Sequence, residues 1–206
     1  MTTESVAILD FWFADCAENP EKAQTRGSFW FAADPNVDVE IRRRFAQPMK
    51  DATSDMLELW KAEPRSCLAL VLLLDQFPRN ACRGTAQAFA HDGQALSVAE
   101  HAVAANYLDE LTPIEQAFAL IPFQHSESLS IQRRGIELFI ALEYRGPREW
   151  RPLIGIYLGY ARKHLVIIER FGRFPHRNVI LGRKSTSGET AYLKNGPTFG
   201  QSPTMG

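Results

Sequence analysis

Between Pro64 and the F-P-R-N segment at residues 77–80 lies C-L-A-L-V-L-L-L, Cys67 to Leu74, eight apolar residues without a break. Apolar side chains on every side leave a helix no face for water, so other elements must enclose it. At ~1.5 Å per residue the run spans ~12 Å, far short of a bilayer's hydrocarbon core, and it reads as the centre of a protein core. Pro64 is placed to open that helix. Asp75-Gln76 and Pro78 mark its end.

The rest of the chain supplies covering helices. Ser5 to Phe13 reads as a short helix capped by Ser5 or Thr3. Gly27-Ser28 opens a second aromatic triplet, Phe29-Trp30-Phe31, which with Phe11-Trp12-Phe13 makes either core layers or a peptide groove. Asp34-Pro35 opens a helix carrying Val37, Ile41 and Phe45 at four-residue spacing, with Arg42, Arg43 and Arg44 on a solvated face. Pro48 is expected to interrupt or kink it before a further helix through Met56, Leu57 and Trp60. Helices follow over 94–107, 113–121 and 129–142; Leu96, Ala99, Ala102 and Val103 form the packing stripe of the first. Gly146-Pro147 separates these from a long apolar segment, 153–171. A T-x-x-E box at Thr186–Glu189 starts a last short helix through Ala191, Tyr192 and Leu193. No alternating strand pattern or strong hairpin dipeptide occurs, so the fold class is all-α, a bundle or solenoid of antiparallel helix pairs. Residues 1–194 form one helical domain; residues 195–206, rich in Gly, Pro, Ser and Thr, form a flexible tail unless Phe199 docks.

Composition excludes several classes. With 45% apolar and 11% aromatic residues the chain is globular, and a net charge of −1 argues against general nucleic-acid binding. M-T-T-E-S-V carries no basic region before an apolar stretch, so no secretory signal is visible, and no segment is a membrane span. Cys16, Cys67 and Cys82 are odd in number and lack a C-x-x-C pair, which fits free thiols in a reducing cytoplasm.

Charge is gathered at Glu169 to Lys184, E-R-F-G-R-F-P-H-R-N-V-I-L-G-R-K: Arg170, Arg173, Arg177, Arg183 and Lys184 against Glu169, five minus one, give plus four. Interleaved Phe171, Phe174, Val179, Ile180 and Leu181 indicate a packed loop. Its F-P-H-R-N echoes the earlier F-P-R-N, each Asn preceding a Gly by four positions, Gly84 and Gly182. Proline ends a helix, Asn caps a new turn, and a left-handed Gly closes it. Each corner would aim an arginine and backbone N–H groups, either at a ligand anion or at the protein's own carboxylates.

Arg79, Arg83, Arg173, Arg177 and Arg183 face the candidate partners Asp75, Glu127, Glu143 and Glu169, which leaves positive charge in excess and room for an anionic group. The candidate ligand-binding set is Arg79, Asn80, Arg83, His164, Arg173, Arg177, Asn178 and Arg183. His125 with Glu127, or His176, is the candidate acid/base pair. His164 points inward with Tyr157, Ala161 and Ile168, and a buried histidine bonded to a carbonyl or carboxylate is the alternative. No H-E-x-x-H, H-x-H, G-x-S-x-G, P-loop or dinucleotide glycine pattern is present, so no metal or cofactor is expected.

Three motifs together carry a resemblance: L-D-Q-F-P-R-N-A-C-R-G-T at 74–85, P-F-Q-H-S-E at 122–127 and E-R-F-G-R-F-P-H-R-N-V-I-L-G-R-K-S-T at 169–186. The chain resembles, over nearly its whole length, the bacterial uncharacterised proteins numbered 924 among the domains of unknown function. That resemblance implies a tetratricopeptide-repeat-like helical fold and no assigned activity, although no 34-residue W-x-x-L-G repeat is visible here. Its motif positions fall on Asp75, Arg79, Asn80, Arg83, His125, Glu127, Arg173, His176, Arg177, Asn178 and Arg183. Ala81-Cys82 and Ser187-Gly188 depart from its pattern at packing and capping positions. The functional expectation is a cytoplasmic helical binding module with an Arg/His pocket for a small anion or acidic peptide terminus. The alternatives are an enzyme using the His/Glu pair on an anionic substrate, and a structural clasp that docks the last helix on Leu68 to Leu74.

Overall fold

The computed structural model describes residues 1–54 and 56–201. In chain order the α-helices are α1 (Thr3–Phe13), α2 (Pro20–Phe31), α3 (Pro35–Thr53), α4 (Pro64–Leu74), α5 (Gln76–Ala81), α6 (Asp92–Ala104), α7 (Pro113–His125), α8 (Leu129–Arg145), α9 (Arg151–Phe171) and α10 (Ser187–Leu193). Among the described residues there is no strand, and the protein is all-α. None of these helices is long and apolar enough to cross a membrane.

Every residue of α4 from Ser66 to Leu74 is buried. It packs against α1, α3, α6 and α7, so one end of the chain is a bundle wrapped around a central helix; α7, α8 and α9 then stack in succession. The two aromatic triplets are mainly core. Trp30 meets Phe118 of α7 at 4.7 Å between ring centres, and Trp12 meets it at 5.7 Å. Phe31 is the exception, 53% exposed.

Local chemistry sets most boundaries. Thr2 caps α1, and Thr112 and Thr186 form capping boxes with Glu115 and Glu189. Gly27-Ser28 does not open an element; it lies inside α2, which Asn19 caps and Pro20 starts. Only Ala23 and Trp30 of that helix are buried, too few for an apolar stripe to show. Pro48 does not end α3, which runs through it to Thr53, and α7 likewise continues through Pro122 to His125. A proline removes one helical hydrogen bond; both rings are buried here, and the packing outweighs that loss. Residues Glu58–Ala62 form a 3-10 helix in place of the expected α-helix. The tail is docked as far as the description goes, with Gln201 3% exposed; the rest of the expected flexible segment, 202–206, lies outside the described residues.

Two glycines test the packing. A Cβ on Gly135 of α8 would meet Phe123 Cβ at 2.8 Å, whereas one on Gly159 of α9 would meet nothing within 4 Å. Gly135→Ala should therefore lower stability by about 1–3 kcal/mol, and Gly159→Ala should raise it by up to about 1 kcal/mol. Urea denaturation of the two variants checks both signs.

Candidate functional site

The buried helix α4 ends at Asp75, whose carboxylate is inaccessible to solvent. Three donors hold it: Gln76 Nε2 at 2.5 Å, Arg79 Nη1 at 3.1 Å and His125 Nδ1 at 2.7 Å. Burial alone would push this carboxyl up; the charge of Arg79 and the bond from His125 outweigh it and hold it well below the usual carboxylate range.

Asp92, the first residue of α6, joins the two corners. Its Oδ1 accepts from Arg79 Nη2 at 2.8 Å and its Oδ2 from Arg177 Nη1 at 2.9 Å. Arg177 is 6% exposed, and its guanidinium lies 4.5 Å from the ring centres of both Phe89 and Phe174. Its Nη2 donates to His125 O, while its Nε is buried without a partner.

The other arginines are paired as well. Arg83 forms a fork with Asp38, both bonds 2.8 Å, and also donates to Asn80 Oδ1 and Gly200 O. Arg173 forks onto Glu189, and Arg183 onto Glu127, which also accepts from Phe174 N. The expected surplus of charge is absent. Asp38, Asp75, Asp92, Glu127 and Glu189 stand against Arg79, Arg83, Arg173, Arg177 and Arg183. Glu169 pairs instead with Arg133 near the surface. Both corner glycines are left-handed as expected, at φ +74° for Gly84 and +65° for Gly182. The asparagines are not caps: Asn80 donates to Gln76 O and Asn178 to Ser185 Oγ.

A cavity of about 1070 Å³ opens between α2, α9, the corners and the tail. Arg79, Asn80, Arg83, His125, His164, His176 and Arg177 line it; Arg173, Asn178 and Arg183 do not, and hold the second corner to α10 and to the α7–α8 connection. Its other wall is apolar and aromatic, from Trp30, Phe31, Ile156, Tyr157 and Tyr160. Among the described lining residues, Arg79, Arg83, Arg162, Lys163 and Arg177 are cationic and none is acidic. The carboxylates paired with Arg79, Arg83 and Arg177 are not among its lining residues. A smaller cavity, about 310 Å³, shares His125 and Arg177 and includes Asp92 and Glu127.

The histidines are held neutral. Burial lowers His164 and His176 to about 3, with neighbouring positive groups adding to the effect. Burial, then Arg79, also lowers His125. His164 Nδ1 lies 2.8 Å from Tyr160 O, and His176 Nδ1 is buried without a partner. His125 does not pair with Glu127; its carboxylate is Asp75. Among the described residues no three His, Cys, Asp or Glu side chains converge as metal ligands would.

Sequence reading did not place Asp38, Asp92, Glu189, Phe89 or Gln124 at these sites. Asp92 carried a signal: an acid in the first turn of a helix is favoured, and the H-D-G run just precedes the stripe beginning at Leu96. Gln124 lies within the P-F-Q-H-S-E motif and Glu189 reads only as a helix cap; Asp38 comes from an element distant in sequence.

An all-α chain whose ion-paired corners border a cationic cavity defines the structural class. The family model described as bacterial protein of unknown function (DUF924) matches residues 8–197, and the chain belongs to that family. A solved structure of a protein of unknown function, ATU0120 from Agrobacterium tumefaciens, is 36% identical, covers 93% of this chain and 97% of its own, and superposes with a TM-score of 0.79. No curated protein matches.

Asp92→Asn leaves the buried Arg177 without a carboxylate and should cost about 3–5 kcal/mol, as breaking a buried pair does. Glu40→Gln, which breaks an exposed pair with Arg43, should change stability hardly at all. Equal melting temperatures for the two variants would contradict this assignment. Acid should also act early. The unfolded chain protonates its histidines below about pH 6.5, whereas His164 and His176 stay neutral in the folded state to about 3, so stability falls as pH drops through that window. His164→Gln/His176→Gln should flatten the loss between pH 7 and 5 in urea titrations.

Proposed function

We propose that the larger cavity is a binding site for a small molecule with an anionic head and an apolar body, and that the protein is a cytoplasmic binding module. The observation that carries this reading is the wall itself, with Arg and Lys side chains and no carboxylate among its described lining residues. A ligand anion would meet these guanidinium groups from the cavity side, in a recess where low polarizability strengthens the attraction. Neutral His125, His164 and His176 add polar edges that accept or donate a hydrogen bond without competing charge. The aromatic wall would take the body of the ligand. A peptide's terminal carboxylate carries the same chemistry. The free cysteines Cys16, Cys67 and Cys82 support a reducing compartment.

A second reading rests on one contact. Asp75 engages His125 Nδ1 at 2.7 Å, so Nε2 is the basic nitrogen on a ring that lines both cavities. An enzyme of this kind would lose turnover in His125→Gln while still binding an unreactive carboxylate. An imidazole Nε2 resonance that ignores every bound anion would rule it out.

Thermal melts with small carboxylates, phosphate and shape-matched amines test the binding reading. A hundredfold excess over Kd should stabilise the protein by about 2.7 kcal/mol. Reversing the exposed rim charges, Arg162→Glu/Lys163→Glu, should shrink the shift and its salt dependence. Amines that stabilise as well as carboxylates would refute it.

A further inference from the structure

The cavity is already occupied in part by the chain's own tail. Phe199 stacks on His164, ring centres 4.1 Å apart and planes 25° from parallel, and its edge meets His176 at 5.4 Å. The tail is fastened to the first corner: Arg83 Nη1 donates to Gly200 O, Gln201 Nε2 to Arg79 O, and Gly84 N to Gln201 Oε1.

The backbone here is unusual. Gln201 N donates to Thr198 O at 3.0 Å, closing a turn whose central residues, Phe199 and Gly200, have φ of +51° and +75°. Positive φ at both central positions is the geometry that Asn-Gly favours, and phenylalanine rarely adopts it. Backbone of this kind is often found at functional sites, and here, unlike at Ala14, Ala33 and Asn106, it lines a cavity. Phe199 packs on the apolar cluster of Ile167, Ile168 and Phe174, but it leaves polar neighbours unmet. It packs against His176, whose Nδ1 has no partner, in a cavity where Arg177 Nε and Gln124 Oε1 are likewise buried and unsatisfied. A benzene ring can satisfy none of them.

The geometry points to an aromatic subsite on His164, occupied in this structure by Phe199, whose ligand is a planar aromatic ring bearing an acid group. The inference rests on the anion-binding reading above and names the ligand class for that site. The incoming ring takes the place of Phe199 on the imidazole, and its acid group supplies the acceptor that His176 and Arg177 lack. Phe199 then acts as an internal competitor, and apparent affinity is reduced by the fraction of molecules in which it is docked.

Calorimetric titration of phenylacetate, indole-3-acetate and cyclohexylacetate into the full chain and into Phe199→Asn decides the matter. Asn-Gly preserves the turn while removing the ring. The variant should bind phenylacetate about tenfold tighter, as expected if the ring is docked nine-tenths of the time. It should also prefer both aromatic acids to cyclohexylacetate. Equal or weaker binding by Phe199→Asn overturns the competitor role, and cyclohexylacetate binding as tightly as phenylacetate overturns the aromatic subsite; in both cases the anion site stands. If no carboxylate binds either protein, both readings fail.

Discussion

Asp92 lies between two guanidinium groups that come from corners far apart in sequence, Arg79 and Arg177, and its two oxygens are divided between them. Each of these arginines is largely enclosed, so neither could be kept there unpaired; the desolvation of an isolated buried cation amounts to several kcal/mol. The bridge fixes the distance between the corners, and with it the position of His125, whose carbonyl accepts from Arg177 and whose ring is held by Asp75. Through this one carboxylate α6 is tied both to α5 and to the loop after α9. The corners so fixed border the larger cavity on its polar side, and α2 and α9 border it on the apolar side.

The helical architecture was legible because it rests on local chemistry. A run apolar on every side at Cys67 to Leu74 demands burial, and Thr186 with Glu189 spells a capping box that forms as written. α2 was not legible, since a helix burying only Ala23 and Trp30 has no stripe to read. Pro48 and Pro122 misled for a related reason: the local rule against proline inside a helix was overridden by the packing of buried rings, which depends on distant segments.

The corners show the same division. Their glycines follow from backbone geometry and adopt the left-handed conformation that the spacing implies. Their electrostatics were legible only in part: Asp75 and Glu127 do pair with Arg79 and Arg183, but other partners are remote, Asp38 lying 45 residues from Arg83 and Asp92 85 from Arg177. Glu143 and Glu169 were closer to the right part of the chain and are not the partners. Which carboxylate meets which guanidinium is a property of the assembled fold.

Full pairing is compatible with a structural clasp and with a binding wall. Buried ion pairs are a weak source of stability, and well-packed apolar residues of similar volume commonly do as well or better. Arg173 and Arg183 fit the structural role: they face no part of the larger cavity and hold the second corner to α10 and to Glu127. Arg79, Arg83 and Arg177 instead line a solvent-reachable cavity whose described lining includes no carboxylate, their shared partner Asp92 lining the smaller cavity. Arg177 Nε and His176 Nδ1 are left buried without partners beside that wall, although each unmade hydrogen bond costs about 1–3 kcal/mol. Arg183 Nε is open in the same way within the structural corner, so the binding reading rests on where Arg177 and His176 stand, beside a solvent-reachable wall, and not on their open groups alone.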